Sequence, residues 1–220
     1  MLGPMGTDDA GNSGRIIATL ADIEAGVAHL SAVCPRLAHA CAVAGPPPLR
    51  RREAGFTQLL NAIVSQQLSV ASANAIWARM QAAGLNTPEA LARGSDEEMR
   101  AAGLSRQKIR YARALAGAGI DYDALDKAPD EEVIATLIKV SGIGRWTAEI
   151  YAMFSLGRAD VFAPGDLALQ EAARLLYALP ERPGARALGA MAESWRPWRA
   201  VAARLLWAYY RVAKQREGIR

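Results

Sequence analysis

Apolar positions recur along this chain at helical spacing, and the breaks between them are marked by proline, glycine and capping residues. The periodicity begins near Ile16, and Pro35 interrupts it. Gly45-Pro46-Pro47-Pro48 reads as a linker, because three prolines stiffen the chain and break a helix. Arg50, Arg51 and Arg52 follow. Phe56, Leu59, Leu60, Ile63 and Val64 then share one helical face. The stretch Ser65-Gln66-Gln67-Leu68-Ser69 ends that helix, and Ser69 is placed to cap the next, which runs to about Ala83. Thr87-Pro88-Glu89 reads as N-cap and first turn of a short helix. Ser95-Asp96-Glu97-Glu98 opens another with a capping box; Gly103 ends it, and Ser105 starts a helix to about Ala118. Pro129-Asp130-Glu131-Glu132 begins a helix that leads into a Gly-Ile-Gly turn. Three more helices are expected near 166–178, 183–194 and 197–215, punctuated by Pro180, Pro183 and Pro197. Residues 1–14 are small, polar and aperiodic and read as a disordered tail.

Strand-like Val/Ile/Thr alternation is scarce while alanine and leucine dominate, so the pattern predicts an all-α fold. At 220 residues with 51% hydrophobic content, the chain can form one large domain or two small lobes with a real core. The net charge of +4 and pI of about 9.3 suit a polyanionic partner only mildly. The two cysteines, Cys34 and Cys41, form no CxxC pair, which leaves neither a zinc site nor a four-cysteine iron–sulfur cluster. Two buried thiols are expected there rather than a disulfide. No apolar run reaches the ~20 residues that span a bilayer, and the N-terminus lacks a secretory pattern. A soluble intracellular protein, cytoplasmic or nucleoid-associated, is expected.

The segment 137–169, LIKVSGIGRWTAEIYAMFSLGRADVFAPGDLAL, carries the candidate chemistry. Two glycines, Gly142 and Gly144, flank Ile143. Glycine permits positive φ and close backbone approach. The amides around such a turn, with the N-terminal dipole of the following helix, can hold a phosphate oxygen without any side chain. An ordinary tight turn between helices explains the same residues. Asp166 follows about two dozen residues later, where it can cap the helix that begins at Leu167. A carboxylate there can also stabilise a positive charge developing on a bound sugar.

This segment resembles the helix-hairpin-helix motif of the helix-hairpin-helix–Gly/Pro-Asp superfamily of DNA glycosylases. Gly142-Ile143-Gly144-Arg145-Trp146-Thr147-Ala148 is similar to the signature hairpin of the alkyladenine (3-methyladenine) DNA glycosylase II branch. Val161-Phe162-Ala163-Pro164-Gly165-Asp166 looks like the Gly/Pro-rich loop and catalytic aspartate. Ser65-Gln66-Gln67-Leu68-Ser69 and Trp195-Arg196-Pro197-Trp198-Arg199 match further segments of that branch. The resemblance covers about residues 50–210. It implies two helical lobes with the hairpin at the cleft between them: lobe one at about 50–145, lobe two at about 15–49 plus 146–220. The chain looks like the compact form, without an extra N-terminal α/β domain. Gly165 stands where some relatives carry a second acid, and Ile150 and Leu167 stand where some carry aromatics.

The resemblance implies a monofunctional glycosylase that flips an alkylated purine from duplex DNA and hydrolyses its N-glycosidic bond. Asp166 is the implied catalytic residue. Trp146 occupies the place of the lysine nucleophile in lyase branches, and tryptophan cannot form a Schiff base. Trp146 and Trp207 are candidate base-pocket rings, with core packing as the plainer reading, while Trp195 and Trp198 read as structural. Gln67 and Leu68 are candidate wedge residues, with a plain turn and a buried leucine as the alternative. Gly142, Ile143, Gly144, Arg145 and Thr147 form the candidate phosphate-binding hairpin. Arg145, Lys139, Arg106 and Lys108 are candidate phosphate contacts. Carbonyls of Ile138, Val140 and Ile143 are placed to hold a sodium or potassium ion, as family hairpins often do. The expected partner is double-stranded DNA with a damaged base, bound by a monomer. A non-catalytic DNA-binding module, a glycosylase for deaminated or oxidised bases, and a helical scaffold are the alternatives.

Overall fold

The structure, a computed structural model, describes residues 14–216. The predicted tail falls outside these apart from Gly14. The described residues are helical, without a strand; one antiparallel bridge joins Ile16 to Arg158. The helices are α1 (Leu20–Val33), α2 (Pro35–Ala44), α3 (Phe56–Ser65), α4 (Val70–Ala82), α5 (Pro88–Arg93), α6 (Asp96–Ala101), α7 (Arg106–Ala116), α8 (Tyr122–Lys127), α9 (Asp130–Leu137), α10 (Arg145–Phe154), α11 (Leu167–Tyr177), α12 (Ala185–Ala192) and α13 (Arg199–Arg216).

Local chemistry sets most boundaries. Ser95 Oγ accepts from Glu98 N–H while the Glu98 carboxylate accepts from Ser95 N–H, closing the predicted capping box. Thr87 caps α5 with Pro88 in its first turn, and Ser69 and Ser105 cap α4 and α7. Two expectations need correction. The first helix starts at Leu20 rather than Ile16, because Ile17 is fully buried and its N–H donates to the Gly157 carbonyl at 2.7 Å. Residues 118–128, read without an element, hold α8, capped by Asp121.

The helices pack as two lobes. In one, α3 lies against α4 and α7, with α5 and α6 on α7. In the other, α13 packs on α2, α11 and α1. Its core includes Trp195 and Trp198, both buried, with Phe162 edge-on to Trp195 at 5.6 Å. Gly26 of α1 lets this corner close, since a Cβ there would sit 2.9 Å from the Trp198 ring. Helices α9 and α10 pack on each other across the Gly-Ile-Gly turn. The two cysteines are free and only half-buried, rather than buried as expected; Cys34 Sγ lies 3.1 Å from the Tyr177 hydroxyl.

Candidate active site

The turn between α9 and α10 is anchored by its apolar residues and open at its glycines. Val140 and Ile143 are buried, and Ile143 N–H donates to the Val140 carbonyl at 3.0 Å. Gly142 has φ of +95°, and a Cβ there would lie 2.3 Å from Tyr111 Cγ, so backbone and packing both require glycine. Gly144 differs. Its φ of −84° suits any residue, and a Cβ would meet nothing within 4 Å. The first backbone bond of α10 runs from Ala148 N–H to Gly144 O, so the N–H groups of Arg145, Trp146 and Thr147 precede the helical ladder. No side chain caps them. An unshielded glycine beside three free amides is a place where an anion can approach.

The side chains around the turn act differently from the expectation. Thr147 is only 7% exposed, so it contributes its amide rather than its hydroxyl to the turn's outer face. Arg145 Nε donates to Glu149 Oε1 at 2.9 Å, and its guanidinium lies 3.9 Å from Glu131. Glu149 is buried, and burial pushes its carboxyl up to about 7 against the pull of Arg145. Lys108 Nζ donates to the carbonyls of Val64 (2.6 Å) and Gln66 (2.8 Å), satisfying the end of α3 instead of facing solvent. Arg106 and Lys139 are exposed.

The same lysine braces the turn between α3 and α4. Gln66 adds a second brace, donating from Nε2 to the Gly142 carbonyl at 2.9 Å. Between these anchors Gln67 takes a left-handed backbone (φ +57°) and is exposed, and Leu68 is 39% exposed. The plain-turn reading with a buried leucine therefore fails. Gln67 and Leu68 line a cleft of about 850 Å³ together with Gly144, Trp146, Thr147 and Ile150.

Asp166 caps α11. Its Oδ1 accepts from Leu169 N–H at 2.9 Å and from Trp207 Nε1 at 3.2 Å; its Oδ2 accepts from Trp146 Nε1 at 2.8 Å. Two tryptophans 61 positions apart thus meet on one carboxylate. Trp146 is 48% exposed, which rules out a core role. Trp207 is half-buried, its ring 5.8 Å from that of Phe154 and tilted by 33°. Trp207 also lines a small pocket with Phe154, Arg204, Arg50 and Arg211, four residues that sequence reasoning did not single out for the site. Residues 60–199 match the family described as HhH-GPD superfamily base excision DNA repair protein. The chain belongs to that superfamily.

Among its HhH-GPD relatives, a protein named DNA-3-methyladenine glycosylase 1 from Schizosaccharomyces pombe is 34% identical over 174 residues, which is 75% of this chain and 76% of the relative. A crystal structure of DNA-3-methyladenine glycosidase from Bacillus halodurans superposes with a TM-score of 0.75 at 39% identity, covering 83% of this chain and 87% of that one. The S. pombe 3-methyladenine DNA glycosylase in complex with abasic DNA gives a TM-score of 0.73 at 33% identity, covering 83% and 95%. Among the described residues no group of three or more His, Cys, Asp or Glu is placed to hold a metal ion. No described helix is long and apolar enough to cross a membrane.

Proposed function

We propose that this chain is a monofunctional DNA glycosylase that removes alkylated purines, of the 3-methyladenine and 7-methylguanine kind, in base excision repair. The observation that carries the reading is Asp166. A capping carboxylate needs one amide partner, yet this one is also held by two indoles beside an open cleft. A carboxylate has about four lone-pair sites. Three are taken by N–H donors, which leaves room to accept from an attacking water.

In this account the free amides at Gly144–Thr147 hold a phosphate of the damaged strand, and Gln67 and Leu68 enter the gap left by the flipped base. The exposed face of Trp146 receives the base; a cationic alkylpurine over an indole gains about 0.5–2 kcal/mol. Asp166 stabilises the oxocarbenium-like sugar and orients water to it. Methylation has already weakened the glycosidic bond, so no general acid is required. Trp146 offers no amine, so no Schiff base forms and the product is an abasic site. A monovalent cation at the turn beside this site would be held by the carbonyls of Ile138, Val140 and Ile143, neutral hard oxygens at the negative end of α9. There it would offset carbonyl charge next to the phosphate. The enzyme works as a monomer, lobe one at about 50–145 and lobe two from the remaining described helices.

The test is base release from methylated duplex DNA together with borohydride trapping on abasic DNA. Release of 3-methyladenine without a trapped covalent complex supports the reading. A trapped complex contradicts the monofunctional assignment, and salt-dependent binding without release of any alkylated base makes the chain a binding module.

A further inference from the structure

Seven arginines of the described chain lie in ion pairs with carboxylates. Arg100 pairs with Glu97, Arg113 with Asp96, Arg145 with Glu149, Arg158 with Asp130, Arg174 with Glu171, and Arg196 and Arg199 with Asp160 and Glu193. Of the arginines outside those pairs, one group is clustered around a buried member. Arg50, Arg204 and Arg211 line one small pocket with Trp207 and Phe154, and Arg52 lies over Phe154 at 5.9 Å. Among the described residues none of these four is paired with a carboxylate. Like charges brought together without a counter-ion repel, and an anion bound among them would relieve that repulsion.

Arg204 makes the case specific. It is only 3% exposed, with its guanidinium 4.5 Å above the Phe154 ring. Two of its nitrogens donate to the Ala200 and Met153 carbonyls, but Nε is buried without a hydrogen-bond partner. Burial and the neighbouring Arg50 and Arg51 charges push its guanidinium down to about 10. Arg50 and Arg211 are exposed at the rim, and Arg50 holds a left-handed backbone (φ +49°) that directs it there.

The position relative to the hairpin suits a second phosphate of the same strand. Arg145 opens α10 and Phe154 closes it, so the cluster stands about 14 Å from the free amides at about 1.5 Å per residue. Along one DNA strand, phosphates advance about 3.4 Å per nucleotide. The two ends of α10 are thus far enough apart to meet different phosphates of one strand, with Asp166 tied to both through Trp146 and Trp207.

We propose that Arg50 and Arg211, backed by buried Arg204, form a second phosphodiester-binding site at the C-terminal end of α10. It grips the damaged strand on the far side of Asp166 from the hairpin. The site rests on the reading of the chain as a DNA-binding enzyme. It divides the grip between uncharged amides at one end and guanidinium groups at the other, and only the second end adds strongly to salt dependence.

The experiment uses the full chain and a duplex with a tetrahydrofuran abasic analogue, which binds without turnover. Affinity is measured between about 50 and 200 mM salt for wild type, Arg50→Ala, Arg211→Ala and the double variant. Each lost phosphate contact lowers the slope of log affinity against log salt by about 0.9, or about 3.5-fold less weakening over that range. A drop of about one per variant is expected. Neutral methylphosphonates are then placed singly on either side of the abasic site. One position, distinct from that which the hairpin engages, should weaken wild type and leave the double variant unaffected. Unchanged slopes, or no position whose effect disappears in the double variant, overturn the site. Inorganic phosphate that competes equally well against wild type and double variant overturns it too. Base release by wild type reports separately on the enzymatic reading: activity with unchanged slopes sinks this site alone, and altered slopes without activity sink the enzyme and keep the site.

Discussion

Replacing Glu149 with glutamine tests whether burial of a carboxylate behind the hairpin costs what the structure implies. Glu149 is 2% exposed, and burial raises its carboxyl from 4.5 to about 7, with Arg145 opposing and Glu131 adding to the rise. In the unfolded chain the proton leaves near the ordinary value; in the folded chain it stays until about pH 7. The stability this gives is fully present below about pH 4.5 and is lost as pH rises through about 7. The full difference is about 3 kcal/mol, at about 1.4 kcal/mol per pH unit across the window. Glu149→Gln removes the titration while its amide oxygen still accepts from Arg145 Nε. Asp130, which burial also pushes up, titrates in both proteins and cancels in the comparison. The assay is urea unfolding of both proteins at about pH 5, 7 and 9. With slopes of about 1–3 kcal/mol per molar urea, the midpoint of the variant should gain about 1–2 M relative to wild type between pH 5 and 9. A difference between the proteins that stays constant over that range would refute the reasoning.

The two glycines of the hairpin should separate fold from binding. Gly142→Ala is expected to cost about 2 kcal/mol or more in urea, from the left-handed backbone and the Tyr111 contact. Gly144→Ala should leave the urea midpoint within about 0.5 kcal/mol of wild type while weakening affinity for abasic duplex, since the added methyl meets only what binds there. Lys108→Met should cost about 1.5–3 kcal/mol by stripping a charged donor from two carbonyls, read from the same unfolding curves. It should also slow base release by loosening the Gln67–Leu68 turn. Trp146→Phe keeps a ring but removes one of the three donors on Asp166, and single-turnover release should slow about 10-fold.

What could be read from the chain in advance followed from how local each feature is. The Ser95–Glu98 box and the Thr87–Pro88 start depend on residues three apart, and both stand as predicted. Helix α8 escaped because six residues with one fully buried side chain, Leu125, carry no visible period. The hairpin and Asp166 were legible as motifs. That Trp146 and Trp207 both donate to Asp166 was not, because the fold alone brings side chains 20 positions before and 41 positions after Asp166 onto its carboxylate. Lys108 has the sequence character of a surface cation; its capture by the end of α3 depends on how α7 crosses α3. The arginine run at 50–52 was visible, but Arg204 and Arg211 lie about 150 residues away and join Arg50 only through the packing of α13.

The central claim is that Asp166 does chemistry as well as capping, and single-turnover release of 3-methyladenine by wild type and Asp166→Asn tests it most directly. Asparagine keeps an oxygen for Leu169 N–H and turns an amide nitrogen toward one indole. The account predicts an intact fold, retained affinity for abasic duplex and a rate lower by a factor of about 100 or more, as expected when a charge aimed at the transition state is removed. Equal rates for the two proteins would reduce Asp166 to a helix cap and contradict the mechanism.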